Sequence, residues 1–145
     1  MVIIRWMIVL LYALFIFVFT QNSASSASAM IARLGAWLPY LSHNDIVAIV
    51  WYLRKLIHIG GYFLALIMIY SAVLATPRLN RFPYSVSVIL ALALAASDEW
   101  YQTKFSHRSG NLGDVMVDLI GIVLAVAAVK AFNSIRNKSQ KASSN

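Results

Sequence analysis

Residues 56–75, LIHIGGYFLALIMIYSAVLA, decide what kind of protein this is. The run matches the roughly 20 residues that a helix needs to cross the hydrocarbon core of a bilayer. Apart from tyrosines, His58 is its one titratable side chain, and Arg54 and Lys55 stand directly before it. A helix on a soluble domain is apolar along one stripe, whereas this one is apolar all round, as a membrane span is.

The rest of the chain agrees. Of 145 residues, 61% are hydrophobic and 12% charged, and the mean hydropathy is +0.74. That is the composition of a polytopic membrane protein. Four spans are expected, at about 2–20, 54–75, 84–101 and 114–132. A Ser/Ala/Asn stretch, 21–29, follows the first. Within it Ala27-Ser28-Ala29 resembles a signal-peptidase site, so removal of residues 1–29 is a competing reading.

The segment 30–41, MIARLGAWLPYL, is too short to span and is interrupted by Gly35 and Pro39. It is expected to be interfacial or re-entrant, with Trp37 and Tyr40 at headgroup depth. Asn44 and Asp45 offer an N-cap to the second long helix. The tail 133–145 is rich in Lys, Ser and Asn and reads as disordered. The expected fold is therefore all-α. It is an integral membrane antiparallel bundle of four transmembrane helices in one domain, 1–132, with a short interfacial segment after the first.

Charge sets the orientation. Arg5, Arg78, Arg81, Lys130, Arg136, Lys138 and Lys141 fall on one side with no acid among them. Arg33, Arg54, Lys55, Lys104 and Arg108 fall on the other, with all five acids. Lys and Arg are retained in the cytoplasm, so both termini are expected there and the mixed-charge side outside. The net charge of +7 has the same cause and does not imply nucleic acid. Without cysteine there is no disulfide and no thiolate chemistry, and no glycine-rich phosphate loop occurs.

Ionisable groups near hydrocarbon are costly, so the mixed-charge side is where function is sought. On the second span Lys55, His58 and Tyr62 share a face at i, i+3 and i+7. On the third, Asp98 and Gln102 are one turn apart, with Glu99 about 100° round the helix. On the fourth, Asp114 and Asp118 share a stripe with Gly121, Ala125 and Ala128; Ser87, Ala91 and Ala95 lead to Asp98 in the same way. Small residues let helices approach closely, so these faces should point inward.

His58, Asp98 and Glu99 are the candidates for proton transfer, with a carboxylate of the third span expected across from His58. Lys55, Tyr62, Gln102, Arg108, Asp114 and Asp118 are the candidates for ligand contact, Arg108 as a bidentate anion clamp. Each has a plain alternative. Asp98 and Glu99 are otherwise a solvated helix end, His58 a packing histidine, and Arg54 a side chain reaching headgroups. Arg108 otherwise balances Asp114 or Asp118. No spaced metal motif is present and an ion network explains the same residues, so neither metal nor cofactor is expected.

Three blocks resemble the VanZ-like family of small bacterial membrane proteins, known through glycopeptide (teicoplanin) resistance. They are Lys55-x-x-His58-x-x-x-Tyr62, then Asp98-Glu99-x-x-Gln102-x-x-Phe105-x-x-Arg108, then Asp114 with Gly121 at a short interval. Phe19-x-Gln21 and the Ser-rich loop are also similar. The family usually has Pro-Gly where this chain has Ser106-His107, and often Asn where it has Asp118. The resemblance implies an envelope protein of the bacterial cytoplasmic membrane. The expected partner is a membrane lipid or lipid-linked amphiphile at the outer leaflet, met by Arg108 and Lys55. A hydrolase or transferase on such a precursor and a non-catalytic binder both remain open; a proton-coupled transporter ranks third, and a purely structural bundle is the plain alternative.

Overall fold

The structure, a computed structural model, describes residues 1–104 and 112–143. Within them the regular structure is all helical, with no strand: α1 Val2–Gln21, α2 Ala27–Trp37, α3 His43–Ala75, α4 Pro83–Gln102 and α5 Leu112–Ser143. A short 3₁₀ turn, Ser23–Ser25, joins α1 to α2. Among the described residues three helices are long and apolar enough to cross a membrane: Val2–Gln21, His43–Ala75 and Gly113–Lys141. α4 is shorter and richer in Ser and Ala, and it ends in Asp98 and Glu99.

Local chemistry sets the boundaries. Ser26 caps α2, its hydroxyl accepting from the Ala29 amide. α3 is capped by Ser42, two to three residues before the expected Asn44 or Asp45. The Ser42 hydroxyl accepts from the Asp45 amide at 3.2 Å and donates to the Asp45 carboxylate at 2.7 Å. Asp45 thus sits in the first turn, where a carboxylate also complements the helix dipole. Pro83 opens α4, at the position whose missing amide hydrogen matters least.

With 33 residues α3 is about 50 Å long, well beyond the ~30 Å of hydrocarbon. Trp51, Arg54 and Lys55 lie in its first half, just before the apolar run that begins at Leu56. α5, with 32 residues, continues past Phe132 into the basic segment read from sequence as a disordered tail, and stays helical to Ser143. The interfacial segment forms its helix earlier than expected, from Ala27, and leaves Trp37 and Tyr40 exposed.

α3 is the hub, packing on α1, α2, α4 and α5. The core lies along it: Tyr62, Ala65, Leu66, Ile69 and Val73 meet Ala91 and Ala95 of α4 and Ile122 and Ala125 of α5. Lipid is as apolar as leucine, so it is close packing rather than the hydrophobic effect that favours these contacts. Ser87, Ala91, Ala95 and Asp98 are all fully buried, so the small-residue stripe of α4 faces inward as expected. On α5 the stripe holds for Gly121 and Ala125 but not for Ala128, which is exposed.

Gly121 makes the tightest approach. A Cβ there would stand 2.2 Å from the Ile59 carbonyl oxygen, so α3 and α5 touch backbone to backbone at this level. At the basic end, polar side chains tie the helices. The Arg5 guanidinium donates to the Ser71 carbonyl at 2.7 Å and the Trp6 indole to Thr76 at 3.0 Å. The Asn133 amide donates to the Tyr70 and Tyr84 hydroxyls at 3.1 Å each.

Candidate functional site

The shared face of α3 meets one carboxylate at each step. Lys55 pairs with Asp114 of α5, and His58 Nδ1 lies 2.8 Å from Asp118 Oδ1. The Tyr62 hydroxyl lies 3.4 Å from Asp98 Oδ2 on α4. Exposure falls with depth: the Lys55 and Asp114 side chains keep 24% and 18% of their surface, His58 12%, and Asp118 none.

Glu99 of α4 stands across from the His58 ring as expected, with ligand atoms of the two within 4.8 Å, but the ring's hydrogen bond goes to Asp118 of α5, which the sequence pattern does not pair with it. The cause is the backbone contact between Ile59 and Gly121. Ile59 adjoins His58, and Gly121 is about one turn from Asp118, so bringing α5 against α3 there places the Asp118 carboxylate on the imidazole.

Asp98 is held separately. Its Oδ1 accepts from the Thr20 hydroxyl at 2.8 Å, and its Oδ2 from the Gln102 amide at 3.0 Å as well as from Tyr62. A buried acceptor left unsatisfied costs about 1–3 kcal/mol, more when charged, so three donors on one carboxylate are what its full burial demands. The Gln102 amide also reaches Glu99 Oε1 at 3.3 Å. Asp98, Glu99 and Gln102 are all buried, so the solvated helix end does not describe them.

One atom breaks the pattern. Asp118 Oδ2 is buried and has no hydrogen-bond partner among the described residues. Ligand atoms of His58, Glu99 and Asp118 all lie within 4.8 Å of one another.

Two cavities adjoin the site. One, of about 300 Å³, lies between α1 and α3, with Tyr12, Phe15, Phe19, Ile57 and Leu64 among its walls. Thr20, Arg54, His58, Tyr62 and Asp98 also line it. The other, of about 260 Å³, is lined by Val47, Val50, Trp51, Lys55 and Asp114. Arg54 and His58 border both.

The structure thus gathers Lys55, His58 and Tyr62 from the middle of α3 with Asp98, Glu99 and Gln102 at the end of α4 and Asp114 and Asp118 near the start of α5. Arg108, with His107, lies outside the described residues. Sequence reasoning missed Thr20 as a donor to Asp98, and it missed Arg54 as a wall of both cavities. A hydroxyl at the end of an otherwise apolar span was the available signal for Thr20.

A family model described as VanZ/LLP1 matches residues 2–133. The chain belongs to that family. No curated protein and no solved structure matches it. The VanZ match takes in α1, α3, α4 and most of α5, so every residue of the site is inside it. Thr20 and Asp98, which join the first helix to the fourth, lie within the VanZ region too.

Proposed function

We propose that this VanZ-like chain is a four-span protein of the bacterial cytoplasmic membrane that takes an anionic amphiphile into the α1/α3 cavity. The apolar cavity bordered by Arg54, His58 and Asp98 carries the reading. An acyl or isoprenyl chain fits walls of Phe15, Phe19, Ile57 and Leu64, while a phosphate or carboxylate head meets the Arg54 guanidinium. Lys55 and Arg108 stand in the same reading as further contacts for the head.

α4 is the remaining span in an antiparallel bundle. The order of contacts supports this, since Tyr62 meets Asp98 near one end of α4 while Asn133 of α5 meets Tyr70 and Tyr84 near the other. Retention of Lys and Arg places both termini in the cytoplasm and the cavity's polar end at the outer leaflet.

If the protein is a hydrolase or transferase, His58 is the group that moves the proton. Asp118 orients its ring through Nδ1, which leaves Nε2 for a ligand. Asp98, saturated by three donors, holds the site together, and Glu99 is the second acid/base candidate. A link to teicoplanin resistance belongs to the same reading, through a lipid-linked envelope precursor.

The test is co-purification. The full chain, extracted in mild detergent, should carry an anionic lipid visible by native mass spectrometry. A Cβ at Gly60 meets nothing within 4 Å, so Gly60→Leu fills cavity space without a clash at its first atom. That variant and Arg54→Ala should each lose the lipid. Retention in both, at wild-type level, removes the proposal. Among cells expressing the chain, Glu99→Gln and His58→Ala then separate catalyst from binder: full protection against teicoplanin by both leaves only the binder.

A further inference from the structure

We infer that His58, Glu99 and Asp118 form a binding site for one divalent transition-metal ion of the zinc type. The three side chains come from α3, α4 and α5, and their ligand atoms lie within 4.8 Å of one another. Imidazole nitrogen and carboxylate oxygen are the donors that zinc accepts, at about 2.0–2.2 Å each. The Nδ1 of His58 and the Oδ1 of Asp118 are 2.8 Å apart, and an ion entering in place of their hydrogen bond needs them to open only to about 3.3–3.6 Å at such bond lengths.

A second observation points to a ligand. Asp118 is fully buried, yet its Oδ2 has no hydrogen-bond partner among the described residues. Its neighbour Asp98, equally buried, has three donors on its two oxygens. Among the described residues one buried carboxylate is fully satisfied while an oxygen of the next has no partner, and a buried carboxylate oxygen calls for a positive or hydrogen-bonding one. A cation between Asp118, Glu99 and His58 supplies it. The Gln102 amide on Glu99 is the kind of outer contact that fixes a ligating carboxylate.

Three protein donors are fewer than the four of a closed structural zinc site, which leaves a coordination position open, as in catalytic sites. His58 borders both cavities, so that position is next to space a small ligand enters. The inference goes beyond the amphiphile reading and does not rest on it.

The experiment uses the full chain in detergent, stripped with chelator and then dialysed against Zn²⁺ alone, with no lipid added. His43→Ala and His107→Ala in the background remove the other two histidines. About one zinc per chain is expected by elemental mass spectrometry. Asp118→Asn should weaken binding at least about tenfold while far-UV circular dichroism stays helical. Asp45→Asn, in the exposed first turn of α3, should bind as the parent does. Should Asp118→Asn fail to fold, X-ray absorption of Co²⁺ on the parent chain answers instead, with one imidazole and oxygen donors expected. Absence of bound metal, equal binding by folded Asp118→Asn, or a Co²⁺ shell without imidazole each overturns the inference. None of these outcomes bears on lipid co-purification.

Discussion

Two glycines show how differently one added carbon acts on this structure. At Gly121 a Cβ collides with the Ile59 carbonyl, while at Gly60 it enters open space. Gly121→Ala should therefore part α3 from α5 and destabilise by about 1–3 kcal/mol, as overpacking does. Gly60→Ala should raise stability by about 0.5–1 kcal/mol, because alanine is the better helix former. Thermal melting in detergent reads both, and a neutral Gly121→Ala would remove the backbone contact from the account of His58. Thr20 is tested the same way. Thr20→Val keeps the shape but withdraws one donor from the buried Asp98, for an expected loss of about 1–3 kcal/mol. Thr20→Ser should restore most of it; equal melting of all three would show that Asp98 does not depend on α1.

For the elements, the sequence was most legible where periodicity alone decides. The face Lys55, His58, Tyr62 and the stripe Ser87, Ala91, Ala95, Asp98 follow from helix geometry, and both turn inward. Partners were less legible, because they depend on how far each helix is rotated and shifted against its neighbour. His58 meets Asp118 only because Gly121 admits the α3 backbone, and nothing in the spacing along either helix encodes that distance. Helix starts show the same limit on a smaller scale. Ser42, not Asn44 or Asp45, caps α3, since hydroxyl and carboxylate satisfy each other across the first turn. Ser42→Ala should cost about 1 kcal/mol and fray that turn. Hydrogen exchange should rise over residues 43–46 and stay unchanged near Tyr62; unchanged exchange at 43–46 would deny the cap.

Over the whole molecule, α1 is bound into the fold at both ends, by Arg5 on Ser71 and by Thr20 on Asp98. Its outward face of Ile3, Met7, Leu10 and Leu14 is exposed, as lipid contact requires. The proposed orientation is open to a direct test, since the chain has no cysteine. Single Lys104→Cys and Gln140→Cys variants should label oppositely with a membrane-impermeant maleimide, Lys104→Cys in intact cells and Gln140→Cys only after lysis. The reverse pattern would turn the proposed site to the cytoplasm.

The sequence by itself determined that this is a helical membrane protein, where its charge concentrates, and which helix faces carry that charge. These follow from composition and from a period of 3.6 residues, both local properties. Only the tertiary structure decided that Asp98 has three donors while one oxygen of Asp118 has no partner among the described residues, and that His58, Glu99 and Asp118 share one small volume. Those depend on contact between segments tens of residues apart, set by the close crossing of α3 and α5.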